Sequence, residues 1–176
     1  MTSLIAAQQL LLATTFLVLP ITVWFTGAAA QRAAEAEVAR QGHAPAVLDR
    51  HGIRFAERAW ECGLALANGA VLAALGVLNL TGNETGRALT WIVQPLVLVG
   101  AGLVTTGQVF ATRYTQAALA RSADPAARAL DARRVIAAAS TGFPAWLRSL
   151  VVVRFVLTTA GSLLVIALLA ADAYAG

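Results

Sequence analysis

The side chains of this sequence best suited to chemistry are four charged residues at the edges of apolar stretches. Arg58 and Glu61 precede one such stretch, and Arg148 and Arg154 stand at the start of another. A carboxylate among guanidinium groups can move a proton or stabilise developing charge. We therefore treat Arg58, Glu61, Arg148 and Arg154 as candidate catalytic residues. A structural alternative stays open, in which Arg154 reaches the lipid headgroups or pairs with Glu61.

Three uncharged polar residues lie inside apolar stretches and form a second set of candidates. They are Asn68, Gln94 and Gln108. A polar side chain at membrane depth should face protein or water, because hydrocarbon offers it no hydrogen bonds. We expect these three residues to face a ligand or a pore.

Metal and cofactor sites find little support in the residue types present. Cys62 is the single cysteine, and His43 and His51 both lie in one hydrophilic connection. Neither a paired-thiolate zinc site nor haem ligation by histidines within the spans fits this pattern. Phosphate-binding and dinucleotide-binding glycine motifs are missing as well. We predict no cofactor and no bound metal.

The elements that carry these residues are predicted to be transmembrane helices. Apolar residues make up 59% of the 176 residues, and the mean hydropathy is +0.71. Long stretches with few charges can each cross a hydrocarbon core of ~30 Å. They cover residues 4–28, 62–80, 88–112 and 151–171. We predict an all-α integral membrane protein, a four-transmembrane-helix bundle that forms a single membrane domain over residues 1–176.

The arginine distribution predicts the orientation of the helices. Five arginines lie in residues 32–58 and six in residues 113–148, whereas the short turn has only Arg87 and the tails have none. Positive residues concentrate on the cytoplasmic side of membrane proteins. We predict that both termini are outside (N-out/C-out) and that the connections 29–61 and 113–150 are cytoplasmic.

The charge composition also suggests a source and a partner. All thirteen basic residues are Arg, a bias that we attribute to a GC-rich bacterium and its cytoplasmic (inner) membrane. Residues 113–148 hold six Arg against two acids, which predicts contact with anionic lipid. The pI near 10.6 is ordinary for a membrane protein with basic inner loops, and we predict no nucleic-acid partner.

Local signals refine the connections. Good helix formers continue the first helix to Arg40, and Gly42 is a natural stop. Asp124-Pro125 predicts a capped helix that runs to Arg134, followed by an uncharged segment at 135–147 that is too short to cross the membrane and is either interfacial or a helix entry. Asn79 and Asn83 lie in or beside a polar turn, where we expect turn chemistry.

Small residues and repeats add two structural expectations. Ala65, Gly69 and Ala73 form a stripe on one helix face, as do Thr158 and Ser162 on another. We interpret these stripes as packing within the bundle, with self-association as the alternative. Loose matches between residues 39–50 and 120–133 suggest two repeated helical hairpins, and a compositional echo is the alternative.

The segment Arg58-Ala-Trp-Glu61 follows a basic first connection and resembles the membrane-associated proteins of eicosanoid and glutathione metabolism. The resemblance covers mainly the first two helices and would imply a trimeric four-helix enzyme. That family places an Arg and a His in the third helix, where this chain has Gly102, Thr105 and Thr106. We therefore do not assign the chain to it.

From the topology and the residue types, we predict that the chain is a small polytopic membrane protein. We expect a non-catalytic accessory or structural subunit of a membrane assembly, either a homo-oligomer or part of a larger complex. Two alternatives stay open. One is a membrane-embedded enzyme that acts on a lipophilic substrate at the cytoplasmic leaflet, and the other is a small channel or carrier.

Overall fold

The computed structural model describes residues 2–175 and is helical throughout. Helix accounts for 83% of the chain, and the described residues contain no strand. Four helical segments are long and apolar enough to cross a membrane: Thr2–Arg40, Ala59–Leu80, Glu84–Val109 and Leu147–Tyr174. The prediction of an all-α, multi-pass membrane protein is confirmed at this level.

Within residues 2–175, ten α-helices and two π-helical turns make up these segments and their connections. In chain order they are α1 (Thr2–Arg40), α2 (Ala46–Arg50), α3 (Ala59–Leu80), α4 (Glu84–Leu96), the first π turn (Val97–Ala101), α5 (Gly102–Val109), α6 (Ala111–Ala120), α7 (Pro125–Ala129), α8 (Ala132–Ser140), α9 (Leu147–Val156), the second π turn (Leu157–Gly161) and α10 (Ser162–Ala175).

The first helix is much longer than the apolar stretch that it contains. α1 runs for 39 residues and continues past Pro20 without a break. It ends before Gly42, whose φ of +81° is the left-handed conformation that glycine adopts without strain. The predicted extension to Arg40 and the glycine stop are both confirmed.

The third membrane-length segment is irregular in its middle. Pro95 lies in the last turn of α4 and lacks the amide that a regular helix would use. The first π turn follows two residues later, at Val97. The segment stops at Val109, three residues before the predicted limit of 112, because Phe110 leaves helical geometry (φ −100°, ψ 21°).

The second connection contains two helices where the sequence predicted one. Asp124 caps α7 as expected, and its carboxylate accepts the Ala126 N–H at 2.9 Å. Helix α7 then ends at Ala129, since Leu130 is extended (ψ 133°) and buried. Asp131 caps a new helix, α8, because its Oδ1 accepts the N–H groups of Arg133 and Arg134. The prediction of a single helix to Arg134 was wrong, because burial of Leu130 turns the chain.

The described chain divides into two compact units. The first unit comprises residues 2–19, 63–109 and 148–175, and the second comprises 20–62 and 110–147. In the first unit, two apolar clusters form the core: Leu12, Ala13, Phe16, Leu72 and Val97 in one, and Ile5, Val165 and Leu169 in the other. The prediction of a single domain stays a prediction.

Small residues of α3 let helices approach closely in the first unit. Ala65 and Ala73 pack against the cluster that contains Phe16. A Cβ on Gly69 would lie only 3.0 Å from the Leu17 side chain. The expectation that this stripe packs within the bundle is confirmed.

The second unit has its own apolar core, built from both connections and the second half of α1. Its buried members are Ala30, Ala34, Val38, Val47, Leu48, Leu119, Ala127, Leu130, Ala132, Val135 and Ala139. Gly142 lies so close to α1 that a Cβ would stand 2.5 Å from the Ala30 Cα and 2.7 Å from the Ala29 carbonyl carbon. The atoms nearest to Gly142 are backbone atoms of α1, which cannot move aside as a flexible side chain could.

We expect Gly142→Ala to lower the free energy of unfolding by about 3 kcal/mol, the upper range for overpacking a rigid contact. Gly107→Ala is the matched control, because Gly107 is helical and its added Cβ meets nothing within 4 Å. That variant should be unchanged or more stable by about 0.5–1 kcal/mol. Thermal unfolding in detergent measures both, and equal stability of the two variants would contradict the close approach.

Candidate functional site

A buried network of polar side chains lies in the first unit, close to the turn between α3 and α4. The Asn79 Nδ2 group donates to Gln9 Oε1 at 2.9 Å and to Thr90 Oγ1 at 2.8 Å. Gln9 Nε2 donates to the same Thr90 oxygen at 3.2 Å. All three residues are at most 2% exposed. Side chains of α1, α3 and α4 thus meet through hydrogen bonds where water has no access.

The network extends to the last membrane-length segment. Gln94 is fully buried and donates from Nε2 to Ser162 Oγ at 2.8 Å. Its Oε1 lies 3.4 Å from Gln9 Nε2, a long contact. Thr90 donates its own proton to the Gly86 carbonyl at 2.7 Å. Four membrane-length segments therefore contribute to one polar cluster.

Local sequence explains why these side chains meet. Thr90 and Gln94 are four residues apart and share one face of α4. Asn83 caps α4 by accepting the N–H groups of Thr85 and Gly86, as expected of a turn asparagine. Gly86 then allows α4 to pack tightly on α3, because a Cβ there would stand 2.5 Å from the Leu78 Cβ.

A second polar contact accompanies the second π turn. Gln8 donates from Nε2 to the carbonyl oxygen of Leu157, the first residue of that turn, at 2.9 Å. Gly161 leaves room for the Gln8 side chain, since a Cβ would meet its Nε2 at 2.7 Å. Gln8 Oε1 and Thr158 Oγ1 are both buried and have no hydrogen-bond partner in the described part of the chain.

Arg154 is buried within the first unit and is only 6% exposed. Its guanidinium donates to Gln108 Oε1 and lies over the Phe16 ring, with 5.3 Å between Cζ and the ring centroid. Cation–π contacts strengthen when water is excluded. Two of the predicted site residues, Arg154 and Gln108, are thus brought together, although they come from two different predicted sets.

Asn68 is exposed on the surface of α3, unlike the buried Gln94. Its Nδ2 donates to the Leu64 carbonyl of its own helix at 3.0 Å. The structure brings none of the three pore candidates together: Asn68 faces outward, Gln94 joins the polar network, and Gln108 holds Arg154.

The remaining predicted site residues are found near the start of α3 and at the start of α9. The Arg54 Nη2 group lies 2.6 and 2.8 Å from the two carboxylate oxygens of Glu61, which also accepts the backbone N–H of Arg58 at 2.9 Å. The Arg58 side chain is exposed, as is Arg148. The carboxylate of Glu61 is thus engaged as a helix-start cap and ion pair.

The second unit contains one further cluster of titratable groups, which links its two connections. Asp124 Oδ2 lies 3.4 Å from Arg50 Nη1 and 3.5 Å from His51 Nε2. The hydrogen bond from the Ala126 N–H lowers the pKa of Asp124, and His51 and Arg50 act in the same direction. Among residues 2–175, no three His, Cys, Asp or Glu side chains converge as metal ligands would.

Most residues of the buried network cannot be recognised from the sequence pattern. Gln8, Gln9 and Thr90 were not singled out, Asn79 was assigned to the turn, and Ser162 was interpreted only as a small residue. One signal was available, since Thr90 and Gln94 on α4, like Thr158 and Ser162 beyond α9, repeat at a spacing of four. Such pairs mark the protein-facing side of a transmembrane helix.

We expect Thr90→Val to destabilise the protein by about 1–2 kcal/mol, because it removes a buried acceptor and leaves Gln9 Nε2 with only its long contact to Gln94 Oε1. Thr14→Val is the matched control. Thr14 is exposed and donates to the Leu10 carbonyl at 2.9 Å, but no other side chain contacts its hydroxyl. Denaturant unfolding in micelles compares the two, and equal losses below about 0.5 kcal/mol would show that the network contributes nothing.

The polar network, the Arg154 contact and the Asp124 cluster are three polar arrangements that these units contain. Comparisons with protein-family models, with curated proteins and with solved structures find no match to this chain. The resemblance carried by Arg58-Ala-Trp-Glu61 therefore gains no support from them, and no family is assigned.

Proposed function

We propose that this chain is a non-catalytic accessory or structural subunit of a membrane assembly, which associates through the exposed face of α3. The observation that carries the proposal is the position of Asn68. It is the tenth residue of the 22-residue helix α3, about 15 Å from its start and so near the middle of a ~30 Å hydrocarbon core. Its carboxamide points out of the protein at that depth.

The hydrogen bonding of Asn68 is incomplete within the chain. One N–H is used by the Leu64 carbonyl, which leaves a second N–H and Oδ1 without a partner among the described residues. Lipid tails cannot supply hydrogen bonds, so an exposed carboxamide gains from meeting another polar group in the membrane. A carboxamide both donates and accepts, and it can therefore pair with its own copy on a neighbouring subunit.

The surroundings of Asn68 suit helix association. Leu64 and Val71 are exposed at the neighbouring positions of the same face, and Ala67 next to Asn68 is small and exposed. The small-residue stripe, which lies about 100° around the helix from Asn68, is already used inside the first unit. Only 28% of the apolar window of α3 is buried, against 56% for α1. Helix α3 thus presents most of its surface to lipid or to a partner.

The remaining polar groups support an accessory subunit over an enzyme. Glu61 is held by Arg54 and by a backbone amide, and Arg154 is held by Gln108 and Phe16. Each of these charged groups therefore has a structural partner within its own unit. The membrane enzyme and the small channel stay predictions, which substitution of Glu61 and flux measurements in liposomes would test.

The self-association test compares wild type with Asn68→Leu, Asn68→Gln and the Thr14→Val control in lipid vesicles. Loss of two interhelical hydrogen bonds should weaken association by about tenfold or more, since each contributes about 1–2 kcal/mol. Asn68→Gln keeps the carboxamide and should retain part of the affinity. Energy transfer between labelled chains measures the association.

Two results would reject the proposed function. The first is a wild-type chain that stays monomeric in vesicles and purifies without a partner. The second is an association that Asn68→Leu leaves unchanged. Co-purification of a different membrane protein that depends on Asn68 would instead identify a larger complex as the assembly.

The proposal includes the orientation and location inferred from the arginines. Both termini lie outside, both connections lie in the cytoplasm, and the membrane is the bacterial inner membrane. The support is the ratio of eleven arginines in the two connections to one in the short turn. We expect a carboxyl-terminal alkaline phosphatase fusion to be active in the periplasm and the matched fluorescent-protein fusion to be dark. The reverse pattern would overturn this topology.

A further inference from the structure

An open groove of about 810 Å³ lies in the second unit between α6 and the start of α8. Its polar lining includes two arginines from different helices, Arg113 and Arg133, together with Thr112 and Gln116. Ala117 and Ala120 form an apolar wall. The groove therefore combines two cations with a strip of methyl groups.

The two arginines are not neutralised by the groove itself. Neither guanidinium has an ion-pair partner within residues 2–175, and both side chains are exposed. Asp131 also lines the groove, but its Oδ1 accepts two backbone N–H groups of α8 and its Oδ2 lies 3.5 Å from Arg134. Gln116 Oε1 is occupied by the Ala132 N–H. The charged hydrogen-bond donors of the groove are thus the two guanidinium groups, and Thr112 and Gln116 add neutral ones.

The groove also lies close in sequence to a membrane surface. Arg113 follows Val109, the last residue of the third membrane-length segment, by four positions. A chain of that length holds Arg113 within about 14 Å of the end of the segment. The polar headgroup layer extends several ångströms beyond the hydrocarbon core. Exposed Phe110 and Tyr114 flank Arg113, as aromatic residues do at membrane interfaces.

We propose that this groove binds the phosphate headgroup of an anionic phospholipid, with Arg113 and Arg133 as its ligands. Two guanidinium groups can hold phosphate oxygens through charge-assisted hydrogen bonds. The alanine wall and the adjacent aromatic side chains contact the glycerol and the first acyl carbons. This apolar surface favours a lipid over free phosphate, which has nothing to place there. The site is independent of association through α3.

The test is native mass spectrometry of the full chain in a non-ionic detergent, titrated with phosphatidylglycerol, phosphatidylcholine or inorganic phosphate. Wild type should retain one phosphatidylglycerol about tenfold more tightly than phosphatidylcholine. The double variant R113Q/R133Q should lose that preference, because each arginine near a charged surface contributes about fivefold. R113K/R133K keeps both charges and should retain most of the preference.

Arg121→Gln is the matched control. Arg121 is exposed in the same connection, has no ion-pair partner in the described chain, and lies outside the groove. It should bind phosphatidylglycerol within about twofold of wild type. If Arg121→Gln lost as much affinity for phosphatidylglycerol as R113Q/R133Q, the effect would come from the overall positive charge and not from the groove. That result would overturn the proposal.

Two other results would also overturn it. One is an equal affinity of wild type for phosphatidylglycerol and phosphatidylcholine. The other is displacement of phosphatidylglycerol by millimolar inorganic phosphate, which would identify a free-anion site. Circular dichroism checks the helix content of every variant, and if the double variant loses helix, the single variants R113Q and R133Q decide the outcome.

Discussion

The constraint on which the first unit depends is that hydrocarbon supplies no hydrogen bonds. Polar groups within the membrane-length segments are therefore stabilised when they find a partner in protein. Asn79, Gln9 and Thr90 meet this requirement by bonding to one another, and Gln94 does so through Ser162. The same contacts fix the rotation of the four segments relative to one another in this unit, because a rotated helix would leave a buried amide unsatisfied.

The irregular backbone of the first unit also depends on hydrogen bonds from within the protein. Pro95 removes an amide and is followed by the first π turn, and the second π turn packs against the first. Gln8 donates to the carbonyl with which that second turn begins. Departures from regular helix in a membrane protein are stable where neighbouring side chains can satisfy the exposed backbone, and Gln8 serves in this way.

Polar groups that already have a hydrogen-bond or ion-pair partner within the protein are less available to react with a substrate or to bind a ligand. Glu61 and Arg154 carry the charges that an enzyme would use, yet each has a defined protein partner. Asn68, Arg113 and Arg133 differ, since they are exposed and have hydrogen-bonding capacity to spare. We therefore propose functions in association and lipid contact for these exposed groups.

Composition and local geometry are enough to predict several features of this protein. Long apolar stretches specify four membrane-length helices, Gly42 ends α1 through its positive φ, and Asp124 caps α7. These features need only residues that are near in sequence, so propensity and hydropathy suffice to predict them. The extended Leu130, by contrast, escaped prediction because its conformation is set by burial in the core of the second unit.

Which polar side chains are buried depends on tertiary contacts between distant segments of the chain. Asn68 and Asn79 are eleven residues apart on α3, close to three helical turns, so periodicity places them on nearly the same face. Asn79 is nonetheless buried and Asn68 exposed. Contacts from Gln9 of α1 and Thr90 of α4 cover the end of α3 at Asn79, while nothing in the described chain covers Asn68. A side chain's environment depends on distant segments, which no local pattern encodes.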